Sequence, residues 1–379
     1  MVTTRRAAAA PRRRASSAAD TADAAALSRK RARPVDPLAS AAEPLPPPSP
    51  PPPPPPPPSP GALKTFEELR RHERWHYLAD NPAIRSGYRA GYSLREALWS
   101  LFQVHNESFN VWSHGLGALS FAALLASFVA YELPAHVRAD IAARLDAAAA
   151  AAGAAAERPL HARLTDALHL PLATPVPTWP LAVFMLSAVV CLSSSAAFHL
   201  LAVVDERYYV ALAALDYSGI GILIFGSTFP MLWPLGFWCH PALGGAYLAV
   251  GSLLALGTVV ISTAPAFRTA DYRLVRMASF IATGSYGAIP FAHLLWLGEP
   301  LYEGALRHLL QMGGFYLVGA LLYGYRVPER FVPGRLDLAV NSHNIFHLCV
   351  WAACVVHYHA LFASYAWRVA HAACPARGL

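Results

Sequence analysis

The 379-residue sequence is too apolar and too sparsely charged for a soluble globular protein. Hydrophobic residues make up 55% of it and charged residues only 14%, against about 25% charged in typical soluble domains. The formal net charge of +7 does not indicate nucleic acid, because the basic residues lie between apolar runs and in the N-terminal tail. An anionic lipid surface is the better partner for such residues. We therefore expect a protein embedded in a lipid bilayer.

Residues 1–62 form a basic, proline-rich tail of low complexity. Arginine clusters around Arg5, Arg13 and Arg29 lie in Ala- and Ser-rich sequence, and residues 50–58 are all proline. Such a composition cannot bury a core, so we predict disorder with polyproline II character in the proline tract. The first sixty residues lack an apolar core, so no secretory signal peptide is expected. A solvated cytoplasmic tail is favoured over a nuclear or transit signal, and its proline tract could dock an SH3- or WW-type cytoplasmic partner.

Residues 63–106 are predicted to form amphipathic helices on the cytoplasmic face of the membrane. Capping boxes, in which Ser or Thr is followed three residues later by Glu, begin at Thr65 and Ser93. Asn81-Pro82 and Gly87 interrupt the chain between the two helices. Both helices place apolar residues on one face, which favours a position along the inner membrane surface.

Seven apolar runs follow, each long enough to cross about 30 Å of hydrocarbon as a helix. We place these spans near residues 109–132, 180–204, 211–235, 242–264, 274–297, 306–324 and 343–365. Glycines recur inside them, as expected where helices approach closely in lipid. The sequence therefore predicts an all-α fold, a seven-transmembrane helix bundle over residues 107–366, with a short tail at 367–379.

The distribution of arginine predicts the orientation of the bundle. One side carries the N-terminal region together with Arg207, Arg268, Arg273, Arg276, Arg326, Arg330 and Arg335. On the other side, the loops near 233–241 and 298–305 contain no Lys or Arg, and the Ala-rich loop 133–179 balances its arginines with acids. We therefore predict a cytoplasmic N-terminus and an extracellular or lumenal C-terminus, in the plasma membrane or an endomembrane.

This orientation excludes the usual seven-helix receptor coupled to G proteins, whose N-terminus lies outside. A retinal protein is also excluded, because such proteins need a lysine in the seventh span and the only lysines here are Lys30 and Lys64.

Polar side chains from three predicted spans lie at one depth near the cytoplasmic side. His199 lies near the end of the second span, and Asp216 lies about one turn into the third. His343 and His347 are four residues apart, so they share a face at the start of the seventh span. Three imidazoles and a water form the ligand pattern of an open, catalytic zinc site. The alternative is a hydrogen-bonded polar cluster without metal.

Two neighbours of these histidines are candidates for the chemistry of such a site. Asp216 would hold the water or act as its base. Ser195 precedes His199 by four residues on the same helical face, where it suits a supporting or substrate hydrogen bond.

A second polar cluster lies at the cytoplasmic start of the first span. Glu107, Asn110 and His114 are spaced so that they share one helical face. We interpret them as a structural polar network that locks the first span to the cytoplasmic loops, in preference to a set of metal ligands. The five cysteines show no paired spacing and indicate neither a disulfide framework nor a zinc ribbon.

At these residues the chain resembles the progestin and adipoQ receptor family, which includes the adiponectin receptors. Three stretches carry the resemblance: Glu-Ser-Phe-Asn-Val-Trp-Ser-His at 107–114, Ser-Ala-Ala-Phe-His at 195–199 with Leu-Asp-Tyr-Ser-Gly at 215–219, and Ser-His-Asn-Ile-Phe-His at 342–347. The resemblance covers roughly residues 65–365, and the His-Asn-Glu-Ser form at 105–108 particularly resembles the plant heptahelical transmembrane proteins.

The resemblance implies a zinc ion on His199, His343 and His347, with Asp216 on its bound water, and an N-terminus inside. It also implies two functions. One is receptor-like signalling in response to an extracellular or lumenal ligand, in plants linked to hormones, sugar and abiotic stress. The other is zinc-dependent hydrolysis of a lipid amide such as ceramide. The receptor-like function is favoured because the resemblance is to a receptor family, with the lipid amide hydrolase as the alternative, and the protein could form a homodimer.

Overall fold

The computed structural model describes residues 62–132, 176–267, 270–371 and 374. Residues 1–61, most of the Ala-rich loop at 133–175, and Arg268 lie outside the described residues. The disorder predicted for the tail therefore stays a prediction. Every regular element in the described residues is helical, apart from one isolated antiparallel bridge between Lys64 and Tyr88. The predicted all-α class is confirmed.

The α-helices of the described residues are numbered in chain order. They are α1 Phe66–Arg71, α2 Leu94–Trp99, α3 Ser108–Ser127, α4 Trp179–Leu201, α5 Glu206–Pro230, α6 Pro241–Thr263, α7 Arg273–Ser285, α8 Ala288–Trp296, α9 Ala305–Tyr325 and α10 Ser342–Ala370. Helices α3 and α5 continue into π-helical turns at Phe128–Glu132 and Met231–Gly236.

Six helices in the described ranges are long and apolar enough to cross a membrane. They are Ser108–Tyr131, Trp179–Leu201, Glu206–Gly236, Pro241–Thr263, Ala305–Phe331 and Ser342–Ala370. They correspond to six of the seven predicted spans. The last one runs to Ala370, past the predicted start of the tail at 367, and Arg368 is buried near its end.

The fifth predicted span, at 274–297, is not one continuous helix. It is divided into α7 and α8 by a turn at Tyr286 and Gly287. Pro290 explains the break, because proline has no N–H to donate to the carbonyl of Tyr286 four residues earlier, and its ring crowds that carbonyl. The prediction of a single helix overlooked this proline inside an apolar run.

The capping boxes at Thr65 and Ser93 are confirmed, since each hydroxyl accepts the N–H of the Glu three residues later and each Glu returns a bond. A short cluster of Leu69, Ile84 and Tyr88 packs α1 against the chain that follows it. Helix α2 buries Ala97, whereas Leu98 and Trp99 are exposed. Its position on the inner membrane surface stays a prediction.

The main core lies between α3, α4 and α10. Phe121 of α3 and Phe184 and Leu192 of α4 are fully buried there, together with Cys354 and Leu361 of α10. These helices also hold the histidines singled out above, so their packing determines where the imidazoles lie.

Helix α5 approaches α4 closely at Gly219. A Cβ at Gly219 would lie 2.9 Å from the backbone Cα of Cys191, a distance that neither backbone can relieve without moving. Small residues at such crossings allow helices in lipid to pack backbone against backbone.

We expect Gly219→Ala to destabilise the bundle by about 1–3 kcal/mol, the usual cost of overpacking. Gly257→Ala is the matched control, because Gly257 lies inside α6 and a Cβ added there would have no atom within 4 Å. There alanine should be neutral or stabilise by about 0.5–1 kcal/mol. Thermal unfolding of the detergent-purified variants measures both, and equal shifts would contradict the close crossing.

Cys239 and Cys374 form a disulfide, with Cα atoms 5.5 Å apart. The prediction from the sequence, that the cysteines indicate no disulfide framework, is therefore wrong for this pair. The partners are 135 residues apart and become neighbours only because α5 and α10 end on the same side of the bundle. Arg368 strengthens this junction, because its Nε donates to the carbonyl of Leu235 at 3.0 Å.

Candidate metal centre

Three histidines converge where α4 ends and α10 begins. His199 lies in the last turn of α4, and His343 and His347 lie in the first turns of α10. Each offers one ligand atom, and these atoms all lie within 4.8 Å of one another. The ring centroids are 4.7 to 4.9 Å apart. We call these three side chains the triad.

The start of α10 is set by a capping box that sequence reasoning missed. The Asn341 side chain accepts the N–H groups of His343 and Asn344, and the Asn344 side chain returns a bond to the N–H of Asn341. The signal was present as Asn at the N-cap position with a second Asn three residues later. The cap fixes the first turn of α10 and therefore the direction of His343.

The Nε2 atoms of His199 and His343 face each other inside the triad. The Nδ1 atom of His199 lies 2.7 Å from Oε2 of Glu107, and Nδ1 of His347 lies 3.3 Å from the hydroxyl of Ser113. With Nδ1 engaged in this way, Nε2 is left free to act as a ligand. Sequence reasoning missed Ser113, which lies in the middle of the 107–114 stretch.

The spacing of the ring nitrogens fits a metal ion. The Nε2 atoms of His199 and His343 are 3.1 Å apart. Two nitrogens bound at about 2.0–2.1 Å to one tetrahedral zinc would be about 3.3 Å apart. The side chains of His199 and His347 are only 5% and 1% exposed. Bulk water therefore has little access with which to displace either imidazole from a bound metal ion. The triad could therefore hold a metal ion.

The polar cluster at the start of α3 contacts the triad. Besides its bond to His199, Oε2 of Glu107 accepts the Asn110 amide at 2.7 Å, and Oδ1 of Asn110 accepts the Asn344 amide at 2.7 Å. The sequence pattern predicted contacts between this cluster and the cytoplasmic loops. In the structure the cluster joins α3 to the two histidine-bearing helices instead, because the shared face points into the bundle.

His114 belongs to this surrounding shell and not to the triad. Its ring stacks on His347 with centroids 3.6 Å apart, and its Nε2 lies 3.3 Å from the backbone carbonyl of His347. A flat stack of this kind holds the orientation of the His347 ring.

Asp216 and Ser195 lie beside the triad. Both line a cavity of about 630 Å³ that also receives His343 and His347. The two side chains lie close enough to interact with each other. Asp216 is not among the closely spaced ligand groups found in the described residues.

The rest of the cavity is apolar and runs along the bundle. Side chains of α5, α7, α8, α9 and α10 line it, among them Ile220, Met277, Leu294, Leu317 and Val350. Since Leu294 lies near the end of α8, the cavity extends from the triad towards the side that carries the disulfide. Its shape and lining suit a long apolar molecule.

Two buried charged residues, Arg89 before α2 and Glu329 after α9, adjoin the triad helices, and sequence reasoning missed both. Arg89, 1% exposed, contacts the end of α4, and Glu329, fully buried, contacts the start of α10. Burial lowers the pKa of Arg89 to about 10, which leaves it charged at neutral pH. A charged residue in a segment without helical periodicity gives no sign of its burial, so the sequence alone could not identify them.

A family model described as "Haemolysin-III related" matches residues 102–358. The chain belongs to this family. Heptahelical transmembrane protein 4 of Arabidopsis thaliana is 31% identical over 346 residues, covering 80% of this chain and 89% of the relative. The adiponectin receptor protein of Drosophila melanogaster is 32% identical over 79% of this chain and 60% of the relative. Progestin and adipoQ receptor-like protein 1 of Caenorhabditis elegans is 30% identical over 83% of this chain and 65% of the relative.

These similarities confirm the resemblance stated from the sequence motifs. The region matched by the haemolysin III-related family contains Glu107, Asp216 and all of the triad, whereas Arg89 and Cys374 lie outside it. The names of the relatives agree with a multi-pass membrane protein of the heptahelical, receptor-like type.

Proposed function

We propose that this chain is a receptor-like membrane signalling protein whose His199, His343 and His347 hold an intramembrane zinc ion. One observation carries the proposal: three imidazoles from two helices, two of them buried and one half-buried, bring their ligand atoms within 4.8 Å of one another. Three neutral imidazoles suit zinc better than the harder cations, which prefer oxygen ligands. An ion held there joins α4 to α10, so a shift in helix packing changes the geometry of the site.

The signal in this proposal comes from an extracellular or lumenal ligand at the side opposite the triad. The Cys239–Cys374 disulfide on that side supports the predicted orientation, because disulfides persist in oxidising compartments. The resemblance to plant heptahelical proteins favours a response to hormones, sugar or abiotic stress. A homodimer and a cytoplasmic partner of the proline-rich tail stay part of the proposal.

The orientation is tested by protease protection of a tag at each terminus. We expect the N-terminal tag to be digested from the cytoplasmic side and the C-terminal tag to be protected. Seven crossings place the termini on opposite sides, with α7 and α8 together forming the crossing that no single helix makes. Two tags on the same side, or a lumenal N-terminal tag, would contradict the seven-span topology or its orientation.

A second candidate function is hydrolysis of a lipid amide such as ceramide. The observation that favours it is that Asp216, Ser195 and two triad histidines face one long apolar cavity. When bound, zinc would polarise a substrate carbonyl and activate a water. Asp216 would accept a proton from that water, Ser195 would hold the substrate by a hydrogen bond, and the apolar walls would hold the acyl chain and exclude bulk water.

The two functions separate in one experiment on purified protein. Zinc content and ceramide turnover are measured together, with a signalling readout in cells that express the same chain. Zinc with signalling but without turnover supports the receptor-like function, and zinc with turnover supports the hydrolase. A protein that folds and signals without zinc would overturn the proposal.

A further inference from the structure

Arg89 contacts the end of the helix that carries His199. Its Nη2 donates to the backbone carbonyl of His199 at 2.6 Å, and its Nη1 donates to the carbonyl of Leu200 at 3.1 Å. Nη1 also donates to the hydroxyl of Ser100. The side chain is 1% exposed, so these bonds form away from water, where hydrogen bonds to a charged group are strong.

These two carbonyls belong to the last turn of α4. The last four carbonyls of a helix have no partner inside the helix, and an unsupported last turn frays. The Arg89 guanidinium supplies two of the missing donors and places a positive charge at the negative end of the helix dipole. Glu107 supplies a nearby negative charge that favours the charged guanidinium. The turn that carries His199 is therefore fixed from outside the bundle.

The start of α10 is held by the same pre-span segment. Glu329 is fully buried and accepts the backbone N–H of Ser342 at 2.7 Å as well as its hydroxyl. The side-chain amide of Asn81 donates to Oε1 of Glu329 at 3.1 Å, the oxygen that also accepts the Ser342 hydroxyl. A carboxylate at a helix N-terminus is favourable for the same electrostatic reason. Arg89 therefore contacts α4 directly, and Asn81 reaches α10 through Glu329.

We propose that residues 81–100 act as a brace for the metal centre, in which Arg89 positions His199 against His343 and His347. The inference rests on the proposed zinc site and extends it to residues that touch no metal. Besides the core that packs α4 against α10, the geometry of the triad depends on the separation of the helix ends that carry its histidines. The brace contacts α4 directly through Arg89 and reaches α10 through the bond from Asn81 to Glu329, and so limits that separation.

The test compares Arg89→Met with Arg95→Met, since Arg95 is an exposed arginine on α2 of the same segment. Zinc affinity is measured by competition with a chelator, and the visible spectrum of the cobalt-substituted protein reports ligand geometry. Removing a supporting contact of a metal ligand typically costs about 10–100-fold in affinity. We expect a loss near 10-fold, an altered cobalt spectrum and a smaller rise in melting temperature on zinc addition for Arg89→Met, and no change for Arg95→Met.

The outcomes are distinguishable from failure of the zinc site itself. If the wild type binds no zinc, the proposed function fails and the brace fails with it. If the wild type binds zinc and Arg89→Met has the same affinity and cobalt spectrum with only a lower melting temperature, Arg89 is merely structural and the brace alone is overturned. Arg89→Lys keeps the positive charge but cannot donate to the carbonyls of both His199 and Leu200. It replaces Arg89→Met in the test if Arg89→Met fails to fold. We expect reduced affinity from it as well, and wild-type affinity would contradict the proposal.

Discussion

His343→Ala and His347→Ala are each expected to abolish stable zinc binding. Either change leaves two imidazole ligands where three converge within 4.8 Å, and a pair holds zinc far more weakly than a triad. Loss of the ion also lowers the free energy of unfolding, because bound zinc no longer stabilises the folded state. That stabilisation is about 4 kcal/mol when the free zinc concentration is a thousand times the dissociation constant. Zinc content by elemental analysis and the melting temperature measure the two effects.

His293→Ala is the control for these variants. His293 lies in α8, and its Nδ1 lies 2.7 Å from the hydroxyl of Tyr247, so its loss should leave the ion in place. Stoichiometric zinc retained by a protein that carries both His343→Ala and His347→Ala would rule out the triad as the metal site.

Asp216→Asn is expected to remove lipid-amide hydrolysis while zinc stays bound. Asparagine keeps the shape of the side chain and still forms hydrogen bonds, but it cannot accept a proton at neutral pH. The three histidines are untouched, so zinc content should equal that of the wild type. Turnover should fall by about 10²–10⁴-fold, the usual effect of losing a general base. Ceramide hydrolysis by the purified variant, normalised to its zinc content, measures this loss.

Asp205→Asn is the matched control on the same helix. Asp205 is the N-cap of α5 and accepts the N–H of Tyr208 at 2.9 Å, a role that asparagine fills equally well. Unchanged hydrolysis in Asp216→Asn with zinc bound would defeat the catalytic role of Asp216. If the wild type has no measurable turnover and Asp216→Asn keeps both zinc and signalling, the receptor-like function stands alone.

The convergence of the triad could be predicted because helices in a membrane have known lengths and directions. Because consecutive predicted spans alternate in direction, His199 at the end of the second span and His343 at the start of the seventh are predicted to lie at the same depth. The contact between Glu107 and His199 could not be predicted. Spacing along the chain shows which residues share a helical face, but it does not show which other helix that face packs against. The same limit hid the contact of Arg89 with α4.

The incorrect predictions have equally specific causes. Pro290 lies within a run whose average hydropathy masks a local break in hydrogen bonding, so the sequence predicts one helix where α7 and α8 form. Cys239 and Cys374 come together only through the ends of α5 and α10, and spacing along the chain carries no trace of that. The helical class of the elements could be predicted from composition and hydrophobic periodicity. Contacts between segments that are distant along the chain could be seen only in the folded structure.

X-ray absorption at the zinc edge of the purified wild type tests the central claim most directly. We predict one zinc per chain, with three nitrogen ligands at about 2.0–2.1 Å, one oxygen ligand and no sulfur. Absence of zinc from a folded, chelator-free preparation would contradict this prediction. So would a first shell containing sulfur, because the free cysteines Cys191, Cys349 and Cys354 have no place in the triad.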